Sequence, residues 1–246
     1  MLLTRVYDAL LTVAYPQACR VCGGGVEQRR FGVVCKGCWE ATRIFTGAET
    51  ICWKCGAPSP GLEIPVELKP NVRCHRCDSQ TFTAARAIGP YEHGLRASVL
   101  EFKRRPHLAP FLIRLLNDVA QRTPLNEATR IIPVPLHKNR ARERGFNQAA
   151  VIAAALAKRM QLPLDETSLV RSSGSEKYRA GLDRKGRRDT VAGAFAVRHP
   201  RLVKNENVLL IDDVFTTGAT VDACSEVLVA SGARNVYVLT IARGKS

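Results

Sequence analysis

The sequence predicts an α/β protein, a mostly parallel sheet flanked by helices, led by a small domain folded around cysteines. Three observations predict it. Eight of the nine cysteines precede residue 78 and fall into four C-x-x-C pairs. After residue 84, short branched apolar runs alternate with stretches of helical periodicity, the pattern of strands joined by helical crossovers. The most apolar of those runs, Val208-Leu209-Leu210-Ile211, leads into Asp212-Asp213 and a hydroxyl-rich turn before a helix. In open α/β sheets, ligands bind just beyond the carboxyl ends of strands.

At 246 residues, 46% of them hydrophobic, the chain can build one large or two unequal domains. We place the boundary at 83/84, with a ribbon domain over 1–83 and the α/β domain over 84–246. At the start, Leu3, Val6, Leu10 and Val13 share one face of a short helix. That apolar stretch is too short and interrupted for a signal peptide, and nothing approaches the roughly 18 to 20 apolar residues of a membrane span. The expectation is a cytoplasmic protein without membrane insertion.

The pairs Cys19/Cys22, Cys35/Cys38, Cys52/Cys55 and Cys74/Cys77 are separated by 12, 13 and 18 residues. Two such knuckles supply the four thiolates of a closed structural Zn²⁺ shell, so eight predict two zinc sites. A disulfide framework belongs to oxidising compartments, and four successive redox dithiols are implausible. Consecutive knuckles give the simplest pairing, Cys19/22/35/38 and Cys52/55/74/77, with a cross-braced arrangement left open and His75 an alternative ligand. Closed thiolate sites leave no open position for catalysis, so this half is architectural. Each site carries about two negative charges, which would bring the formal +15 to about +11.

Residues 84–91 read as a strand leaving the ribbons. Helical periodicity follows over His93–Arg104 and His107–Gln121, split by Pro106, with Lys103 read as solvated. Arg130–Pro135 is the next strand-to-loop transition. It runs into a basic stretch ending near Gln148 and then an Ala-rich helix to about Arg159. Pro133 and Pro135 lack N–H donors, so anion binding there would lean on Lys138, Arg140 and Arg144. A strand near Ser168–Arg171 precedes a long polar, Gly-containing insertion and a second strand over Val191–Val197. Such insertions are usually functional or disordered.

The strand at Val208–Ile211 reads as buried on both faces. Amides at Gly218 and Ala219, with the hydroxyls of Thr216, Thr217 and Thr220, suit a phosphate at the positive end of a helix. Two carboxylates beside that phosphate need another task, and accepting hydrogen bonds from vicinal sugar hydroxyls is one. The chemistry suggested is a ribose 5-phosphate. The bland alternative is a strand that happens to end in an Asp-Asp turn. Val221, Cys224, Leu228 and Val229 mark the packed side of the helix that follows.

The stretch LLIDDVFTTGAT resembles the 5-phosphoribosyl pyrophosphate (PRPP) signature of type I phosphoribosyltransferases. Taken with PVPLHKNRARERGFNQA and the cysteine ribbons, the whole chain resembles the ComF family. The resemblance implies a type I phosphoribosyltransferase-like fold behind a double zinc ribbon, with Mg²⁺ accompanying PRPP. It implies that Asp212 and Asp213 hold the ribose, that Thr216–Thr220 hold the 5-phosphate, and that the basic stretch holds pyrophosphate. The insertion at 172–190 corresponds to the family's flexible loop, with Arg179 and Arg184 as contacts. Arg179 stands where the family usually has Gln, and Thr190 where it has Asn. Hypoxanthine-type relatives carry Asp where this chain has Thr216, which argues against that substrate class.

Family members are associated with natural competence and DNA uptake, so single-stranded DNA and other DNA-uptake proteins are the implied partners. The charge surplus suits polyanions, being +12 from residue 85 onward against +3 before it. Few aromatics, 6%, weaken a base-stacking platform. No G-x-x-x-x-G-K-[ST] occurs, which sets aside a P-loop NTPase. The expected function is transfer of phosphoribose from PRPP to an unidentified acceptor. The alternatives are a non-catalytic PRPP or nucleotide sensor, or a DNA-handling protein that uses the basic surface. No side chain is singled out as a catalytic acid or base.

Overall fold

The computed structural model describes residues 16–59, 61, 64–172 and 193–244. The expected N-terminal helix and the insertion contacts Arg179 and Arg184 lie outside them. Six strands are described: β1 (Ala84–Pro90), β2 (Arg130–Pro133), β3 (Leu169–Arg171), β4 (Phe195–Val197), β5 (Asn207–Phe215) and β6 (Asn235–Arg243). The helices are α1 (Lys36–Glu40), α2 (His93–Phe102), α3 (Pro110–Ala120), α4 (Lys138–Arg144), α5 (Gln148–Met160) and α6 (Ala219–Ala230). Strands β1-β6-β5-β2 form a parallel sheet in that order, and β3–β4 form a separate antiparallel pair.

Successive side chains of a strand point to opposite faces, and β5 fills both. Leu209 and Ile211 join a core built from α2, α3 and α5, whereas Val208 and Leu210 join a second core with Val221, Cys224 and Leu228 of α6. All four strand residues are fully buried, as a central parallel strand requires. Of the residues assigned to the packed side of α6, Val229 is the exception at 42% exposure.

Each ribbon takes one of the two cores. Cys19, Val34, Cys35 and Trp39 belong to the first, and Cys52, Cys55, Cys77 and Phe82 to the second. Between them the chain crosses the free edge of β1. Phe45 N donates to Ile88 O at 2.7 Å, and Ala85 N donates to Lys54 O at 2.7 Å. An exposed strand edge is thereby covered by the ribbons. At Gly56, φ is 71° and an added Cβ would lie 2.5 Å from the Ala85 carbonyl oxygen, so only glycine permits this approach.

Two sequence expectations change in detail. The acidic pair does not follow the strand but lies within it, because β6 runs alongside as far as Phe215↔Arg243. On its other side β5 outruns β2, which ends with Pro133 opposite Ile211. The basic stretch expected as a loop forms α4. Asn139 N donates to His137 Nδ1 at 3.2 Å at its start, and Gly145 ends it at φ 75°.

Candidate functional site: a metal-type ribbon pair and an acidic strand end

The eight paired cysteines gather as the consecutive pairing predicts. Cys19, Cys22, Cys35 and Cys38 form one group and Cys52, Cys55, Cys74 and Cys77 the other, with all sulfurs of a group within 4.8 Å. Sulfur separations are 3.8 Å for Cys22–Cys35, 3.5 Å for Cys52–Cys77 and 3.6 Å for Cys55–Cys74. A tetrahedral Zn–S bond of about 2.3 Å demands S···S edges of about 3.8 Å, so both groups can hold that ion. Backbone amides already point at the sulfurs. Cys35 N lies 3.3 Å from Cys19 Sγ, and Cys74 N lies 3.3 Å from Cys52 Sγ. His75 is no ligand, because its side chain is fully exposed and pairs with Asp78 at 3.7 Å.

Without a cation, four clustered thiols cannot all ionise. The hydrogen bond from Cys55 lowers the Cys52 thiol to about 4. Burial, then the neighbouring Cys52 and Cys74, pushes Cys77 up to about 12. Two arginines, Arg86 half-buried and Arg243 buried, face this second group. The Arg86 guanidinium lies 4.9 Å over the Trp53 ring and donates to Trp53 O at 2.8 Å. Arg243 lies 4.7 Å over Phe215 and donates from Nη2 to Cys55 Sγ at 3.6 Å. Neither arginine carried a signal in the sequence pattern.

At the carboxyl end of β5, Asp212 accepts from its neighbour's amide, Asp213 N to Oδ1 at 2.8 Å. Burial, then the Asp213 charge, pushes Asp212 up to about 7. Asp213 pairs with Lys103 Nζ at 3.2 Å. Lys103 is therefore bound to the site rather than solvated, a contact 110 residues long in sequence. Beneath the pair, Cys224 is fully buried, and burial, then Asp212, holds its thiol well above the ordinary range.

The turn after β5 is shaped by one glycine. Gly218 sits at φ 82° and opens α6. An added Cβ would meet Gln80 Nε2 at 2.6 Å and Phe215 Cζ at 2.7 Å. Ala219 N reaches the Thr217 hydroxyl at 3.3 Å, while Thr216 is exposed and Thr220 half-buried. The first amides of a helix have no intrahelical acceptor, so the start of α6 offers donors to an anion.

The basic residues divide. Lys138 and Arg140 are exposed on α4, and Arg144 is half-buried with Nη1 donating to Gln148 Oε1 at 3.0 Å. The charge of Arg140 is felt at both Asp212 and Arg171, which brings α4 to the acidic strand end. Arg171, the last residue of β3, lies 5.1 Å over Phe195. Sequence reading placed it in a strand and missed it as a cation near the site.

The structure thus defines an α/β protein whose parallel sheet carries an acidic strand end and whose amino-terminal part holds two four-cysteine groups. No family model matches the chain. It is homologous over nearly its whole length to the competence F proteins. It is 28% identical over 237 residues to competence protein F of Haemophilus influenzae, covering 92% of this chain and 96% of that protein. The DNA utilization protein YhgH of Escherichia coli K12 is 28% identical over 242 residues, covering 95% and 99%. Competence protein ComFC of Bacillus subtilis is 26% identical over 222 residues, covering 85% and 84%. Among solved structures, the chain is similar to the Giardia lamblia APRTase complexed with 9-deazaadenine. The TM-score is 0.38 at 15% identity, covering 60% of this chain and 84% of that one. The glutamine PRPP amidotransferase of B. subtilis gives a TM-score of 0.39 at 17% identity, covering 58% and 30%. Among the described residues, no helix is long and apolar enough to cross a membrane.

Proposed function

We propose that this protein binds PRPP at the end of β5 and transfers its phosphoribosyl group to an acceptor, in the service of DNA uptake or use. The observation that carries the reading is the acidic pair. Two adjacent carboxylates, one of them pushed up to about 7, stand beside a turn that offers helix amides and hydroxyls to an anion. In this reading Asp212 and Asp213 accept hydrogen bonds from the ribose hydroxyls. Thr216, Thr217, Gly218, Ala219 and Thr220 enclose the 5-phosphate. Lys138, Arg140 and Arg144 face the pyrophosphate, and Arg171 adds a further positive charge.

The acceptor's nucleophilic atom forms a bond to the anomeric carbon as the bond from that carbon to the pyrophosphate oxygen breaks. Pyrophosphate leaves with the bonding pair, and the acceptor's proton passes to solvent. The protein contributes position and electrostatics, not covalent chemistry. Mg²⁺ bound with PRPP would neutralise charge on the departing pyrophosphate; carboxylate oxygens of Asp212 and Asp213 are the hard donors that suit it.

The 83/84 boundary is part of the same proposal, with the zinc-filled ribbons as scaffold and residues 84–246 as the transferase-like domain. The names of the relatives favour a second reading, in which the same pocket senses PRPP while the basic surface contacts single-stranded DNA. Pyrophosphate release with Mg²⁺, PRPP and a panel of purines, pyrimidines and amines separates the two. Turnover with any acceptor that is lost in Asp213→Asn supports transfer. Binding of PRPP without release across the panel supports the sensor.

A further inference from the structure

The second four-cysteine group and the turn at the head of α6 are joined by a continuous set of contacts. The Gln80 amide donates to the Cys77 carbonyl at 3.1 Å. Its buried side chain turns the other way, with Nε2 donating to the Thr217 carbonyl at 3.1 Å. Thr81 N then donates to Asp222 Oδ1, in the first turn of α6, at 2.6 Å. From the other knuckle, the Cys55 carbonyl accepts from Arg243 Nη1, and the same guanidinium covers Phe215 at 4.7 Å. Gln80 and Phe215 are the two groups that an added Cβ at Gly218 would strike. The turn is therefore held on two sides by residues whose far ends rest on the second ribbon.

The first ribbon has a different footing. Cys19, Val34 and Cys35 pack among the residues of α2 and α3, and Arg20 pairs with Glu101 of α2 at 3.8 Å.

We propose that Gln80 and Arg243 are positioning residues for the 216–220 turn, and that the second four-cysteine site, not the first, governs how well that turn holds a phosphate. The proposal rests on the reading of the turn as a phosphate site. A trans peptide places its C=O and N–H on opposite sides. Anchoring Thr217 O on Gln80 therefore turns the Gly218 N–H away from the ribbon. Gln80 Oε1 is buried without a partner among the described residues, so this side chain sits at a cost for the sake of its single bond to the turn.

The test compares Gln80→Met and Arg243→Met with Arg20→Met, which removes the first ribbon's ion pair with Glu101, zinc content being measured for each. The readouts are amide hydrogen exchange over 216–220 without ligand, and affinity for ribose 5-phosphate by calorimetry. In Gln80→Met, exchange at Gly218–Thr220 rises and affinity falls, each by about five-fold or more with zinc retained. Arg243→Met shifts both in the same direction, and Arg20→Met shifts neither. Unchanged exchange over 216–220 in both Met variants overturns the positioning role. So does equal ribose 5-phosphate affinity in wild type and both variants, which leaves the phosphate reading standing. Loss of affinity in Arg20→Met as large as in Gln80→Met overturns the distinction between the ribbons. Faster exchange in a protein that binds no ribose 5-phosphate upholds the coupling and removes the phosphate reading.

Discussion

In the second ribbon four thiols stand within 4.8 Å of one another, and at the end of β5 two carboxylates stand side by side. Both are crowds of like groups, and the chain treats them differently. The thiols receive backbone amides, are packed into a hydrophobic core and face two arginines. Their geometry fits a divalent metal with no position left over. The carboxylates are given Lys103 and the charge of Arg140, which do not offset the burial that pushes Asp212 toward protonation. The first crowd is arranged for a permanent counter-charge, and the second is left short of one. An acidic group held above its ordinary range beside a like charge, at a cost to stability, is the expected mark of a ligand site.

The largest effect tests the first half of that contrast. Cys52→Ser is expected to lower zinc from two per chain to one. It should destabilise the fold by on the order of 5 kcal/mol or more, since a structural zinc site contributes about 10 kcal/mol or more to folding. Elemental analysis with thermal unfolding checks it. A metal-free wild type with undiminished stability would break the comparison.

Gly218→Ala comes next. Its φ of 82° and the 2.6 and 2.7 Å approaches predict a loss of about 2 kcal/mol or more, read by denaturant unfolding.

Asp212→Asn tests the second half, and its sign is opposite. The folded carboxyl titrates near 7, above its ordinary range. Between about pH 4 and 7 the native state keeps a proton that the unfolded state has lost, so stability falls as pH rises through that window. Asparagine removes the loss. The variant should match wild type near pH 4 and exceed it above pH 7 by on the order of a few kcal/mol, measured as a Tm series in pH. A variant less stable than wild type at pH 8 would show that the pair is structural.

The smallest effect is Lys103→Met. The Lys103–Asp213 pair, with side chains 31% and 19% exposed, is worth at most about 1 kcal/mol to the fold.

How much of this was legible follows from where the information lies. The cysteines announce their groups by spacing, and β5 announces itself because four consecutive residues are buried on alternate faces. The end of β5 was misplaced because its last paired residues are fixed by the register of β6, which no local pattern shows. Helix α4 was hidden by Pro133 and Pro135 before it and by a sequence polar at every position but Ala141, so it has no apolar stripe to read. Lys103, Gln80, Arg171 and Arg243 reach the site, its turn or the second ribbon by tertiary contact alone. Val229 was placed on the packed face of α6 by periodicity, but the packed stripe of that helix is narrower than its apolar content suggests.

Calorimetric titration of PRPP with Mg²⁺ into wild type and the Asp212→Asn/Asp213→Asn double variant tests the account most directly. The account predicts saturable one-to-one binding to the zinc-loaded wild type and a loss of at least about ten-fold in the variant, the effect of removing charge-assisted hydrogen bonds to the ribose. Equal affinity in the two proteins, or no binding in either, would contradict it.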